Sequence, residues 1–486
     1  MDSIREYVEF INVSIGSSTF GRIFRLEGSG HPSEIKNTKF TTEVRAGLTT
    51  FFTMAYIIAV NERKLRTDHI ADLNRSLITS TAAVAGFSSF LFGFLTNMPV
   101  ALAPGMGLNA YFAFQVVGYH GDGIISYNLA LTAVFIEGFV FIFLSLIGMR
   151  QSCGIGLFLA LIGLGNTTGI GAVSGARSTT LQIAGCPEEF FVDGTCGLVT
   201  AYLMAYKVKS AMIVGILLVS IISWPRDTSV TYFPDTTVGN SRWDFFKKVV
   251  NFHPIDHTLN KLDWNITSNP GQFAMALFTF LYVDIIDCTA TLYSMARFSG
   301  VVDPETGDFP RSTLAYCTDA FCISIGALLG VSPVTVFIES GAGIAEGGKT
   351  GLTAMACGIC FIISMFFAPI FASIPPWATG CTLVLVGCLM MRQVSNINWS
   401  YIGDAIPSFV TLMFIPFGYS AAYGLIAGLM VYTGLNGMIY VTKLVSGGRI
   451  TPDDEDHREY WTNLRNTNAN ARLSQATRQA PLVLYS

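Results

Sequence analysis

Three windows of the chain, residues 76–121, 350–391 and 405–442, contain no Asp, Glu, Lys or Arg. Each is long enough for two bilayer crossings at about 20 residues per span, and a soluble core has no use for uncharged runs of that length. Over the 486 residues 13% are charged and 51% hydrophobic, with 37 Phe and 47 Gly, which excludes an ordinary soluble globule and a disordered chain. The charges gather in residues 1–45, 61–75, 225–271 and 446–486. The first 45 residues lack the apolar core and small-residue cleavage site of a secretory leader, so insertion is expected to use the first internal span.

Apolar runs of helical length lie near 44–60, 77–96, 98–117, 127–149, 154–173, 198–224, 273–296, 313–330, 332–346, 350–372, 378–391, 405–417 and 421–443. Lys207 and Lys209 interrupt the sixth, and splitting it into 198–206 and 211–224 gives fourteen. Two segments are abnormal in the same way. Met98–Val117 carries Pro99, Pro104, Gly105 and Gly107, and Ser332–Glu346 carries Pro333, Gly341 and Gly343, so neither is one unbroken helix. A shift of 234 lays Pro99-Val100 on Pro333-Val334 and Gly107 on Gly341, and a shift of 229 lays Leu48, Thr50, Phe51 and Ile57 on Leu277, Thr279, Phe280 and Ile286. Two matches at nearly one offset, with an odd number of spans per copy, point to an inverted duplication, the pattern of a secondary transporter.

The expected fold is therefore an all-α polytopic membrane protein of about 14 spans in two inverted 7-span repeats, its broken third and tenth spans holding short extended segments. The expected divisions are an N-terminal tail at 1–43, a first repeat at 44–224, a polar loop at 225–271, a second repeat at 272–445 and a C-terminal tail at 446–486. Arg150, Lys207, Lys209, Arg297, Arg311, Lys349, Arg392 and both tails then share one side, which the positive-inside rule makes cytoplasmic. The sequon Asn265-Ile266-Thr267 falls on the other side.

Irregular backbone at membrane depth has to line a cavity or be buried in protein, so the two broken segments mark the candidate site, with Asn109 just after the glycines of the first. Five acids stand in or beside apolar runs: Glu137, Asp284, Asp287, Asp319 and Glu339. A carboxylate at mid-bilayer costs about 2.5–3.5 kcal/mol on insertion scales and is retained for a site, a relay or a partner. Asp284 and Glu339 read as substrate contacts. Asp287, one turn from Asp284 on the same helix face, is weighed between substrate contact and a helix-to-backbone bond. Glu137 and Asp319 read first as structural. The six His lie outside the spans, and Cys357-x-x-Cys360 has no His or acid nearby, so neither a metal nor a cofactor is called for. The Cys of the apolar runs read as packing residues, Cys186 and Cys196 as a pair only if their loop meets an oxidising compartment, and Gly154–Gly165 as a close helix contact. No nucleophile or cofactor motif suggests an enzyme, and the charge distribution suggests no nucleic-acid partner.

The motifs Ala103-Pro104-Gly105-Met106-Gly107-Leu108-Asn109-Ala110-Tyr111-Phe112, Tyr282-Val283-Asp284-Ile285-Ile286-Asp287, Ser332-Pro333 through Glu339-Ser340-Gly341-Ala342-Gly343-Ile344, and Ile415-Pro416-Phe417-Gly418-Tyr419-Ser420 together resemble the AzgA-like purine permeases of fungi and plants, over residues 40 to 461. The resemblance implies core and gate domains and inward carriage of hypoxanthine, adenine and guanine with protons. It implies purine-binding roles for Asn109, Asp284 and Glu339 and an essential role for Asp287. Plasma-membrane residence, purine nucleobases, protons and the lipid bilayer follow as expected surroundings and partners, with a homodimer left open. Compared with the family pattern the chain is short around 151–210 and at 61–75, where gate-side elements belong. A related nucleobase cargo such as xanthine or uracil, or a purine-binding membrane protein that does not transport, therefore stands as the alternative.

Overall fold

A computed structural model describes residues 2–58, 71–118, 123–147, 188–206, 211–226, 231–251, 253–268, 270–302, 309–375, 397–417 and 421–447, with a few isolated positions elsewhere. The expected N-terminal tail forms two helices, α1 (Asp2–Gly16) and α2 (Thr19–Phe24). Two sets of elements follow in the same order. The first is α3 (Phe40–Met54), α4 (Ala71–Thr96), β1 (Leu102–Pro104), α5 (Met106–Tyr111) continued by a π turn, and α6 (Tyr127–Ile147).

Between the two sets come the small hairpin β2 (Val173–Ser174) and β3 (Gln182–Ile183), then α7 (Glu188–Ala205), α8 (Ala211–Ser223) and α9 (Thr237–Phe246). The second set is α10 (Pro270–Phe298), α11 (Ser312–Leu328), β4 (Val334–Val336), α12 (Ser340–Ala345) and α13 (Gly351–Ser364), extended by α14 (Ala368–Ala372). The segment from 391 onward is a separate compact unit. In it α15 (Ile402–Phe417) and α16 (Ala421–Val445) pack as a hairpin fastened by Asn436, whose Nδ2 donates to Gly403 O at 2.9 Å.

α7 ends at Ala205 and α8 begins at Ala211, on either side of Lys207 and Lys209 in the sequence. α7 starts at Glu188, ten residues ahead of the start at 198 expected from the apolar runs. The side chains of Cys186 and Cys196, the run Gly154–Gly165 and the motif end Gly418-Tyr419-Ser420 lie outside the described residues. Cys288, Cys322 and Cys357 are buried free thiols, as packing residues would be.

The main helix–helix contacts recur when the two sets are exchanged. α4 lies on α13 as α11 lies on α6; α3 meets α12 and α13 as α10 meets α5 and α6; β1 packs on α4 as β4 packs on α11; and β1 pairs with β4 itself. Small residues permit this. A Cβ on Gly351 would stand 1.8 Å from Gly93 O, and one on Gly138 would stand 2.1 Å from Ser324 Oγ and 2.6 Å from Ala320 O, so the helix backbones meet directly at both seams, as small residues allow in membranes. The helices ahead of the strands also end alike, in left-handed residues, Asn97 (φ 56°) and Gly330 (φ 80°).

Each end of this bundle is closed by the segment preceding a set. On one side Asn97 Nδ2 donates to Phe24 O at 3.2 Å, and Phe24 and Leu26 pack on Leu352. On the other, the loop before α10 is folded: Ser80 and Thr258 share a hydrogen bond of 2.7 Å, and Asn260 N donates to Leu328 O at 2.7 Å. Four described helices are long and apolar enough to cross a membrane, within 75–96, 127–146, 270–296 and 351–371.

Candidate functional site

The extended pieces of the two broken spans find each other. Without Pro99, Pro104 and Pro333 donating to a helix ladder, the chain runs straight, and its buried amides need partners from elsewhere. β1 and β4 supply them as an antiparallel pair, Leu102 opposite Val336, Ala103 opposite Thr335 and Pro104 opposite Val334, all six buried. Gly105 N donates to Pro333 O at 2.9 Å, Phe337 N to Ala101 O at 3.1 Å, Ala101 N to Ser340 Oγ at 3.0 Å and Leu102 N to Ser89 Oγ at 3.0 Å.

This ladder sets the geometry of the candidate residues. Asn109 follows β1 on α5 and Glu339 follows β4 at the start of α12; because the strands run oppositely, the two sit beyond opposite ends of the pair. α10 lies alongside with Phe280, Asp284 and Asp287 on one stripe. The Phe280 ring meets Tyr111 at 5.2 Å and Phe112 at 5.9 Å, at the Asn109 end. Asp284 stands beside the Thr335 hydroxyl, at the middle rung, without completing a hydrogen bond. Asp287 is an electrostatic neighbour of Glu339. One helix thus follows the ladder from end to end.

Polarity at this place is unsatisfied. Both side-chain polar atoms of Asn109, both oxygens of Asp284 and the hydroxyl of Thr335 are buried without a partner. Each such group costs about 1–3 kcal/mol when left so, an expense a folded protein carries where something else is to be bound. Glu339 differs: its Oε1 accepts a hydrogen bond of 2.6 Å from Tyr56 Oη.

Glu137 and Asp319 are brought into the same cluster. Asp319 sits well inside α11 and not near a span end, and the Gly138–Ala320 contact sets Glu137 of α6 against it. Both lie close enough to Asp284 to repel it. Glu137, Asp284 and Asp319 are 0% exposed; Asp319 has the Cys288 thiol beside it as a weak donor, none of the three has a cation partner among the described residues, and three like charges there cannot all be present together. The acids form a row, Glu339 and Asp287 at one end, Asp284 between, Asp319 and Glu137 behind. No described group of His, Cys, Asp and Glu has the arrangement of a metal site.

Sequence reasoning missed Tyr56, Thr335 and Phe280 as parts of this place. Thr335 was legible only as a strand former. Tyr56 carries no local signal, because its partner is 283 residues away.

Broken spans paired through a short ladder, on a scaffold of long apolar helices, define a multi-pass membrane transporter. The fold is shared with the transmembrane domain of a cyanobacterial bicarbonate transporter (TM-score 0.51, 16% identity, 80% of this chain and 97% of that one) and with the murine anion transporter Slc26a9 (TM-score 0.54, 11% identity, 84% and 69%). The Permease family model of xanthine/uracil permeases matches residues 41–426, and the chain belongs to that family. It is 53% identical to an efflux pump of Aspergillus versicolor (94% of this chain, 89% of that one) and 50% identical to a putative xanthine/uracil permease of Schizosaccharomyces pombe (94% and 82%). A guanine/hypoxanthine permease of Bacillus subtilis is 32% identical (82% and 91%). The first of these alignments runs over 514 positions against 486 residues here, so that relative has internal segments without a counterpart in this chain.

Proposed function

We propose that the protein carries purine nucleobases (hypoxanthine, adenine, guanine) into the cell together with protons, by alternating access between a core and a gate domain. The observation that carries this reading is the pair of buried, partnerless polar side chains, Asn109 and Asp284, beside aromatic Phe280 and Tyr111. A purine presents ring N–H donors and ring nitrogen acceptors on a flat apolar body. An amide supplies both donor and acceptor, a carboxylate takes an N–H strongly when desolvated, and aromatic rings suit the faces.

In this reading Asn109, Asp284 and Glu339 contact the base. Asp287, Asp284 and Glu339 carry the coupled proton, with Asp319 and Glu137 as further candidates. Two inverted repeats of seven spans, 44–224 and 272–445, account for the exchange-symmetric packing, and both tails, 1–43 and 446–486, lie in the cytoplasm of a plasma-membrane protein. Protonation and base binding each favour one arrangement of core against gate, so each strengthens the other by linkage. The named activities of the bacterial relatives support the purine cargo.

The test is uptake of labelled hypoxanthine at acidic and neutral outside pH in cells lacking their own purine permeases. Faster uptake in acid, abolished by collapsing the proton gradient, is expected; equal rates would remove the proton step. Glu339→Gln and Asn109→Ala are each expected to weaken purine affinity, and undiminished affinity in both would end the binding claim.

A second reading is export of a flat heterocycle, supported by the efflux pump at 53% identity. Preloaded cells distinguish it: faster loss of labelled purine than from cells without the protein, with no net uptake, would favour export.

A further inference from the structure

Among the five acids of the site row, Glu339 has its carboxylate held by a phenol: Tyr56 Oη donates to Oε1 at 2.6 Å. The two residues come from opposite sets of elements. Tyr56 stands just past the end of α3, where the helix breaks at Ala55, and its ring is 2% exposed. One turn earlier Thr53 Oγ1 reaches the Glu339 backbone carbonyl at 3.5 Å, so the end of α3 touches both the main chain and the side chain of Glu339. α12 is pressed onto the same helix, since a Cβ on Gly343 would stand 2.1 Å from Thr50 Oγ1.

Resting on the purine reading above, we infer that Tyr56 is a positioning residue for the nucleobase: it fixes Oε1 of Glu339 as an acceptor and leaves Oε2 to take an N–H of the base. A carboxylate free to rotate pays side-chain entropy on binding, whereas one already held does not. The phenol also prevents a proton from residing on Oε1, so Glu339 exchanges its proton through Oε2, the same oxygen that meets the base. Because donor and acceptor belong to opposite sets, any shift of α3 against α12 releases Glu339 and loosens the base. The affinity of the site is thereby tied to the registry of the two sets. The half-buried Tyr127, whose hydroxyl donates to Gly330 O, shows what a purely structural tyrosine does in this fold, since it touches none of the five acids.

The experiment is initial-rate uptake of labelled hypoxanthine by wild type, Tyr56→Phe, Glu339→Gln, the double variant and Tyr127→Phe, with surface protein quantified. Tyr56→Phe is expected to raise KM about tenfold, the loss of one charge-assisted hydrogen bond, with Vmax per surface molecule within about twofold. In the Glu339→Gln background the same change adds little, because the oxygen it served is no longer a carboxylate. Tyr127→Phe leaves KM unchanged. If Tyr56→Phe fails to reach the surface, Tyr56→Met, which fills the space without a donor, is read instead, and a KM indistinguishable from wild type in any donorless Tyr56 variant that reaches the surface overturns the role. A KM unchanged in Tyr56→Phe while Glu339→Gln loses affinity overturns the positioning role alone. Wild type that takes up no purine overturns the purine reading and the role with it.

Discussion

Glu43 of α3 accepts a hydrogen bond of 2.7 Å from Thr353 Oγ1 of α13, and its carboxylate also accepts from the backbone N–H of Lys349 and of Thr350, each at 3.1 Å. A helix start has unpaired N–H groups and a positive dipole end. Here an acid from the first set satisfies them for a helix of the second, with Glu43 at 0% exposure. Glu43→Ala removes the acceptor of the Lys349 and Thr350 backbone N–H groups and is expected to cost about 2–3 kcal/mol, measured as a lowered unfolding midpoint of purified protein in detergent. Glu43→Gln keeps an acceptor and should fall between. An unchanged midpoint for Glu43→Ala would show that this clasp does not hold the two sets together.

The Gly93–Gly351 contact makes a sharper demand. Gly351→Ala places a methyl 1.8 Å from Gly93 O, so α4 and α13 must separate, at a cost of about 1–3 kcal/mol for overpacking. Gly271, whose Cβ would meet nothing within 4 Å, is the control, and Gly271→Ala should leave stability where it was. Equal melting of the two variants would contradict the close seam.

Thr335 offers a test of the site with little risk to the fold. Thr335→Val keeps the β-branched shape that suits a strand and removes the hydroxyl beside Asp284. A loss of about tenfold in purine affinity is expected from one polar group of the site, with surface expression retained, read as KM for hypoxanthine. Full affinity would place the base away from the middle rung of the ladder.

Glu137 and Asp319 predict an effect opposite to that of ordinary core substitutions. Replacing an acid by its amide preserves shape and removes like-charge crowding, so Glu137→Gln and Asp319→Asn are expected to leave the unfolding midpoint unchanged or raised. If either acid serves the proton step, the same variants flatten the acid stimulation of uptake while purine still binds. A clear drop in midpoint would mean that the carboxylates have partners that matter to the fold.

Much of this protein was readable along the chain because a bilayer imposes one-dimensional rules: apolar length sets a span, and proline with glycine inside a span sets a break. The broken segments, Asn109, Asp284 and Glu339, and the interruption at Lys207 and Lys209, follow from those rules applied to neighbours in sequence. Glu43 shows where they stop, since at the edge of an apolar run it reads as the last residue of a polar tail, and its capping of α13 depends on residues 306 to 310 positions away. Asp319 and Glu137 likewise read as separate structural acids until the Gly138–Ala320 contact sets them face to face. Local composition decided which segments enter the membrane and where they must fail as helices. Only tertiary packing decided that the two failures pair as β1 and β4, that α10 follows them rung by rung, and that Tyr56 meets Glu339, because hydrogen bonds and close backbone contacts depend on distance in space and leave no mark on spacing along the chain.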